Sequence, residues 1–254
     1  MPTFKKIATL AIVLFFAISC KKDNNTPAPP AGKKLQKISW NQALADTVNF
    51  TYDATGRLVK SEDSYTIETY TYSAAAVGIQ EFRKSENRFV SDITGVLDNN
   101  GRMVSNTGNY SYNINLPYTE QTGFTYDADG YLVKIVRTAG ISVQTYNMTI
   151  VDGDRTQVIY TKTNSGGYTQ TTDFYTDKND LSGIGAVPLS YGNNHNGLFG
   201  KTNKHLIKYE KLYQFNAPSP SWTRALAYTL DAGGYIQTVD YTGTWISTGI
   251  YTFK

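Results

Sequence analysis

Phe50-Thr51-Tyr52-Asp53-Ala54-Thr55-Gly56-Arg57-Leu58-Val59-Lys60 is nearly copied at Phe124-Thr125-Tyr126-Asp127-Ala128-Asp129-Gly130-Tyr131-Leu132-Val133-Lys134. Each copy reads as one β-hairpin. An aromatic strand ends at an Asp, whose carboxylate accepts backbone N–H bonds and opens a turn. Gly three residues later supplies the positive φ that a type I turn followed by a bulge requires. An apolar pair then begins the return strand. Weaker copies run from Leu97 through Asp98 and Gly101 to Val104, and from Tyr228 through Asp231 and Gly234 to Ile236; a degenerate one is read from Phe174. The structural turn residues are therefore Asp53, Gly56, Asp98, Gly101, Asp127, Gly130, Asp231 and Gly234.

The texture around these hairpins is uniform from residue 35 to 254. The chain holds 20 Tyr in 254 residues, and Tyr and Thr favour a pleated sheet over a helix. His205–Phe215, the one segment open to a helical reading, has its apolar residues mostly on alternate positions and is read as a strand. The irregular spacing of Gly56, Gly101, Gly130 and Gly234 does not match the fixed period of a solenoid or propeller. The expected fold is all-β: a single large curved antiparallel meander of about 10–12 strands built from hairpins. An open sheet of that size curls, splits or closes, so partial or full closure into a barrel is expected.

The amino-terminal residues decide location. Lys5-Lys6, an apolar run from Ile7 to Ile18, and Ser19-Cys20 have the layout of a secretory signal, and the run is shorter than the ~20 residues of a spanning helix. Cys20 is the only cysteine, and its place at the cut site marks it for lipidation, although Ala17 stands where leucine is usual. Residues 1–19 are the expected lipoprotein signal peptide. Residues 20–34, rich in Pro, Asn and Lys, are a solvated tether, and 35–254 form a single domain. With no further cysteine the domain folds without disulfides, and Cys-based zinc sites and thiol nucleophiles are excluded. Losing Lys5 and Lys6 leaves 22 basic residues against 21 acidic. That balance lacks the clustered basic character of a nucleic-acid binder.

The repeat pattern resembles the YD repeat of Rhs-type proteins. Together with Ser19-Cys20-Lys21-Lys22-Asp23 and the Tyr/Thr/Asn-rich body, residues 20–254 resemble a family of Bacteroidetes lipoproteins of unknown function described as having a porin-like fold. The resemblance implies a curved β-meander and an outer-membrane lipoprotein, on the periplasmic face or the cell surface. It implies no activity and carries no catalytic residues.

Chemistry-bearing motifs are sparse. Asp127-Ala128-Asp129-Gly130 has the look of a calcium loop but lacks the distal carboxylate such a loop needs; it and Asp152-Gly153-Asp154 are read as turns. His195 and His205 lie in or beside an Asn/Gly-rich loop, Tyr191–Asn203, that is expected to cap an end of the sheet, with Glu210 the nearest acid. No tight ligand spacing points to a metal, and no motif points to a cofactor. Gly-x-Ser-x-Gly, His-Glu-x-x-His and phosphate-loop motifs are absent. The candidate ligand-binding residues are Trp40, Trp222, Trp245, His195 and His205, with Tyr70, Tyr72, Tyr110, Tyr112 and Tyr118 as further members of an aromatic platform. The expected function is a non-catalytic binding or scaffold module, anchored to the membrane by lipid, whose ligand is a glycan, a lipid or an envelope protein. The alternatives are an envelope glycan hydrolase, whose paired acids need only meet in space, and a membrane-embedded barrel.

Overall fold

The computed structural model describes residues 32–41, 47–113, 116–182, 197–215, 217–243 and 247–254. Lys33–Lys254 forms one compact unit, and it is the barrel. Its strands are β1 (Leu35–Trp40), β2 (Thr47–Tyr52), β3 (Leu58–Glu62), β4 (Thr66–Tyr72), β5 (Ala76–Arg83), β6 (Arg88–Leu97), β7 (Met103–Tyr110) and β8 (Tyr118–Tyr126). They continue as β9 (Leu132–Ala139), β10 (Ser142–Val151), β11 (Asp154–Lys162), β12 (Ser165–Asn179), β13 (His205–Gln214), β14 (Trp222–Leu230), β15 (Ile236–Gly243) and β16 (Ser247–Phe253). Every strand pairs antiparallel with its sequence neighbour, and β1 pairs with β16, which closes the barrel. Closure leaves no unpaired sheet edge. The described residues contain no α-helix.

Sixteen strands exceed the 10–12 read from the sequence. The excess comes from turns that carry no Asp-x-x-Gly signal, such as Gly140-Ile141 between β9 and β10 and Thr163-Asn164 between β11 and β12. Phe174 begins no hairpin. It lies inside β12 beside a register shift, and that strand runs on to Asn179.

The four clear repeats share one geometry. A register shift precedes each turn, at Thr51/Tyr52, Val96/Leu97, Thr125/Tyr126 and Thr229/Leu230. Asp98 Oδ1 accepts the Asn100 and Arg102 backbone N–H groups at 2.9 Å each, and Gly101, at φ 75°, donates to the Asp98 carbonyl. Asp53, Asp127 and Asp231 likewise accept N–H bonds from Arg57, Tyr131 and Tyr235. Two residues after each turn glycine stands a buried aliphatic or thioether side chain: Leu58, Met103, Leu132 and Ile236. The repeat tyrosines link neighbouring segments, Tyr126 Oη donating to the Met103 carbonyl at 2.7 Å and Tyr52 Oη to the Leu35 carbonyl at 2.8 Å.

All four repeat turns therefore lie at one end of the barrel, here called the turn end. The β12–β13 connection reaches the same end. Its described part packs Leu198 and Phe199 into the main core, with Phe199 against Phe124 at 5.3 Å between ring centroids. Backbone bonds from Met103 to Leu198, Lys201 to Gly130 and Lys204 to Gly153 sew this plug onto three hairpins. The chain also enters here. Lys34 and Lys254 exchange backbone hydrogen bonds, and Lys33 Nζ meets Asp231 at 2.7 Å. The opposite end, the mouth, carries Asp63–Tyr65, a 3-10 turn at Lys84–Glu86, Ser111–Asn113, Leu116-Pro117 and Gly140-Ile141.

Candidate ligand-binding site

Side chains alternate across the wall, as a strand requires. In β8, Glu120, Thr122 and Phe124 are buried and face inward, while Thr119, Gln121 and Thr125 are exposed. The exposed set around the barrel includes Thr51, Thr71, Gln80, Thr94, Thr107, Lys134, Asn147, Thr161, Asp240 and Thr252. Apolar members such as Val96, Val143, Ile159 and Ile250 are scattered among them. A barrel that spans lipid carries a continuous outward apolar band about 25 Å tall; this wall carries Thr, Asn, Gln, Lys and Asp instead.

The interior is graded. The turn end holds the apolar core and its plug. Toward the mouth the inward face becomes aromatic and polar. Tyr110, Tyr112 and Tyr118 stack, with centroids 5.8 and 5.0 Å apart and interplanar angles of 27° and 19°. Arg83 lies over the Tyr112 ring at 5.4 Å, and Tyr112 Oη donates to Glu81 at 2.7 Å. Farther round, Tyr146, Tyr160 and Tyr168 form a second run with centroid spacings of 4.8 Å. Between the two runs Arg137 grips Glu120 through Nε and Nη2, at 2.9 and 2.6 Å. On β13 and β14, Arg224 binds Glu210, whose other oxygen accepts Gln170 Nε2 at 2.8 Å. Arg224 also lies over Trp222 and Tyr241, 5.1 Å from each ring, and Trp40 packs on Tyr241 at 5.6 Å.

Burial shifts three other ionisable groups of the barrel, Glu68, Arg155 and Asp180. Glu68 faces Glu81 across the β4–β5 ladder. Burial, with the Glu81 charge adding to it, raises the Glu68 pKa although Ser61 and Tyr70 donate to it. Burial lowers Arg155 to about 10, against the pull of Glu210. At the turn end burial pushes Asp180 up to about 6, with Asp154 adding to the rise, while Ser182 donates both N–H and hydroxyl to it.

A raised carboxylate pKa means that the folded state binds a proton more tightly than the unfolded one. The Asp180 contribution to stability is complete below its unfolded pKa near 4 and is lost as pH rises through about 6. Asp180→Asn keeps the acceptor and removes the charge. The variant is expected to melt above the parent at pH 8, by about 1–3 kcal/mol, and to match it at pH 4. Parallel thermal melts at the two pH values check this; equal melting at pH 8 contradicts it.

The barrel has a porin-like fold. A porin-like protein from Bacteroides uniformis superposes with a TM-score of 0.62 at 16% identity, over 87% of this chain and 96% of that one. A second, from Bacteroides vulgatus, gives 0.65 at 13% identity, over 87% and 99%. No family model and no curated protein matches the sequence.

The porin-like architecture brings some of the sequence candidates together and separates others. Trp40 and Trp222 both reach the Tyr241–Arg224 cluster. Tyr110, Tyr112 and Tyr118 form the stack, whereas Tyr70 is buried against Glu68 and Tyr72 packs against the Arg57 guanidinium. Cys20, His195 and Trp245 lie outside the described residues. The acid beside His205 is not Glu210. His205 Nδ1 and backbone N sit 2.6 and 2.8 Å from the carboxylate of Asp154, which makes a buried strut at the turn end, away from the mouth. Sequence reading missed Arg137, Glu120, Arg224, Glu68 and Glu81. Their only local signal is charge on alternate strand positions, and their partners are set by cross-strand register.

Proposed function

We propose that this chain is a lipid-anchored, non-catalytic binding module of the outer membrane, standing in water as a closed barrel that takes its ligand at the mouth. The polar outer wall carries this reading, because burying Lys134, Asp240, Asn147 and threonines such as Thr51, Thr71, Thr94 and Thr107 in hydrocarbon is penalised. The aromatic and ion-paired inner wall supplies the binding chemistry. Acyl chains on Cys20 supply the membrane attachment that the wall does not. Residues 21–34 give a tether of roughly 20 Å r.m.s. reach. Lys33 and Lys34 lie at the turn end, the pole of the barrel opposite the mouth.

Cys20→Ala is expected to release the protein from the membrane fraction in soluble form, without detergent and without ion conductance in planar bilayers. Retention of the variant in washed membranes, or channel activity, overturns the proposal.

A second reading, glycan hydrolysis, is favoured by one observation. Glu68 and Glu81 face each other with unequal environments, the arrangement that separates an acid from a base. Release of aryl alcohol from aryl glycosides by the native chain, lost in Glu68→Gln and Glu81→Gln, supports it. Absence of turnover by the native chain removes it.

A further inference from the structure

The mouth concentrates exposed apolar side chains. Tyr65, Phe89, Leu116, Ile141 and Phe215 range from 51% exposed at Tyr65 to 92% at Ile141. They stand in or beside five different mouth connections, β3–β4, β5–β6, β7–β8, β9–β10 and β13–β14. The repeat turns at the other end carry Thr55, Asn99, Asn100 and Asp129 instead. The apolar layer is shallow. On the outer wall Ile67, Phe82 and Phe89 form one rung across β4, β5 and β6, with Phe82 and Phe89 edge to face at 5.3 Å. The next rung away from the mouth is polar throughout: Thr69, Gln80, Asp92, Asn109 and Thr119, across β4 to β8. From Tyr65 to Thr69, or from Leu116 to Thr119, the chain advances roughly 10 Å. Charged residues at this level are held in pairs, Glu86 with Arg83 and Arg88, and Glu62 with Lys84.

We propose that the mouth rim is a membrane-docking collar that dips into the surface of a lipid bilayer, a role that deepens the anchored-barrel reading and rests on it. A spanning barrel needs an apolar band about 25 Å tall, and the polar rung from Thr69 to Thr119 stops this one far short. Side chains that enter the interface between headgroups and acyl chains are buried about 5–10 Å deep, which matches the layer above that rung. Exposed apolar groups gathered at one place mark a protein or a membrane contact. Here they sit on separate hairpin tips around a closed rim roughly 30 Å across, as sixteen tilted strands require. A folded partner must offer a matched hollow to each tip, and a small ligand cannot reach them all. Fluid lipid fills in around every tip without matching. The chain before the barrel is long enough to allow it. A wall of β6 length, 10 residues, is about 25 Å tall on a tilted strand. The stretch from Cys20 to Lys33 extends to at most ~45 Å, so acyl chains on Cys20 and the mouth can meet one bilayer.

The Cys20→Ala chain separates the rim from the acyl chains. It is mixed with vesicles of phosphatidylcholine and phosphatidylethanolamine and floated on a density gradient. The expected affinity is that of a single myristoyl chain, ~10⁴ M⁻¹, so most of the protein floats at millimolar lipid and is lost on washing. Adding Leu116→Asp, Ile141→Asp and Phe215→Asp together is expected to weaken flotation at least tenfold. Val151→Asp, at the turn end, is expected to leave it unchanged. Matched melts confirm that the variants are folded, which exposed positions favour. Absence of flotation, equal flotation of the triple-Asp variant, or loss of flotation in Val151→Asp overturns the collar. A dimer in sedimentation that the triple-Asp variant abolishes, without flotation, gives the rim to a second copy and also overturns it. None of these results touches the anchored reading. That reading fails separately, on retention of the Cys20→Ala chain in washed membranes or on ion conductance.

Discussion

Arg137→Met is expected to lower the stability of the barrel by about 3–5 kcal/mol. Glu120 is 3% exposed and Arg137 17%, and the guanidinium meets both carboxylate oxygens. A desolvated carboxylate is tolerable while that fork neutralises it. Without the fork the charge remains buried, and the Thr122 hydroxyl, 3.4 Å from Glu120 Oε1, is too distant to take its place. The loss is a property of the stranded charge and not of the pair. The double variant Glu120→Leu/Arg137→Met removes both charges and is expected to recover most of the stability, because apolar groups of similar volume replace a buried pair at little cost. Urea unfolding of the two variants and the parent measures the difference. A single variant within about 1 kcal/mol of the parent would mean that water reaches Glu120 and that the inner wall is far wetter than its burial indicates.

Phe199→Ala is expected to cost about 3–5 kcal/mol, the range for deleting a buried aromatic side chain. Phe199 is 6% exposed, tilts at 53° to Phe124 and joins Leu198 in the main core cluster. The effect should be felt first in the plug. The amides of Lys201 and Lys204, bonded to the Gly130 and Gly153 carbonyls, should exchange with solvent faster, while the wall strands keep their protection. Gly200→Ala gives an independent route to the same result. Gly200 has φ 80°, and an added Cβ would stand 2.4 Å from the Gly130 carbonyl oxygen, so the backbone must move off the hairpin. Unchanged exchange at Lys201 and Lys204 in both variants would show that the plug is dispensable to the core.

The Asp-x-x-Gly hairpins were readable from one sequence because their determinants lie within five residues of one another. Asp98 bonds to Asn100 and Arg102, Gly101 takes the positive φ, and Met103 starts the next strand. The same local logic marks the segment from His205 as a strand. It does not count strands whose turns are made by Gly140-Ile141 or Thr163-Asn164, since such pairs also occur within loops. The candidate binding residues were half legible. The density of Tyr and Trp announced an aromatic surface, but not that Tyr110, Tyr112 and Tyr118 would stack while Tyr70 is buried on Glu68.

Neighbouring residues alone specify an all-β chain of hairpins, the turn chemistry of its repeats and the apolar residue that follows each turn. Tertiary structure alone decided that β1 meets β16, that Glu210 pairs with Arg224 while His205 turns to Asp154, and that the wall is polar outside and aromatic within. The physical reason is range. A turn is settled by hydrogen bonds over four residues, whereas the partner of a buried charge depends on register accumulated through every bulge around a closed barrel, where a shift of one residue reverses each side chain's face.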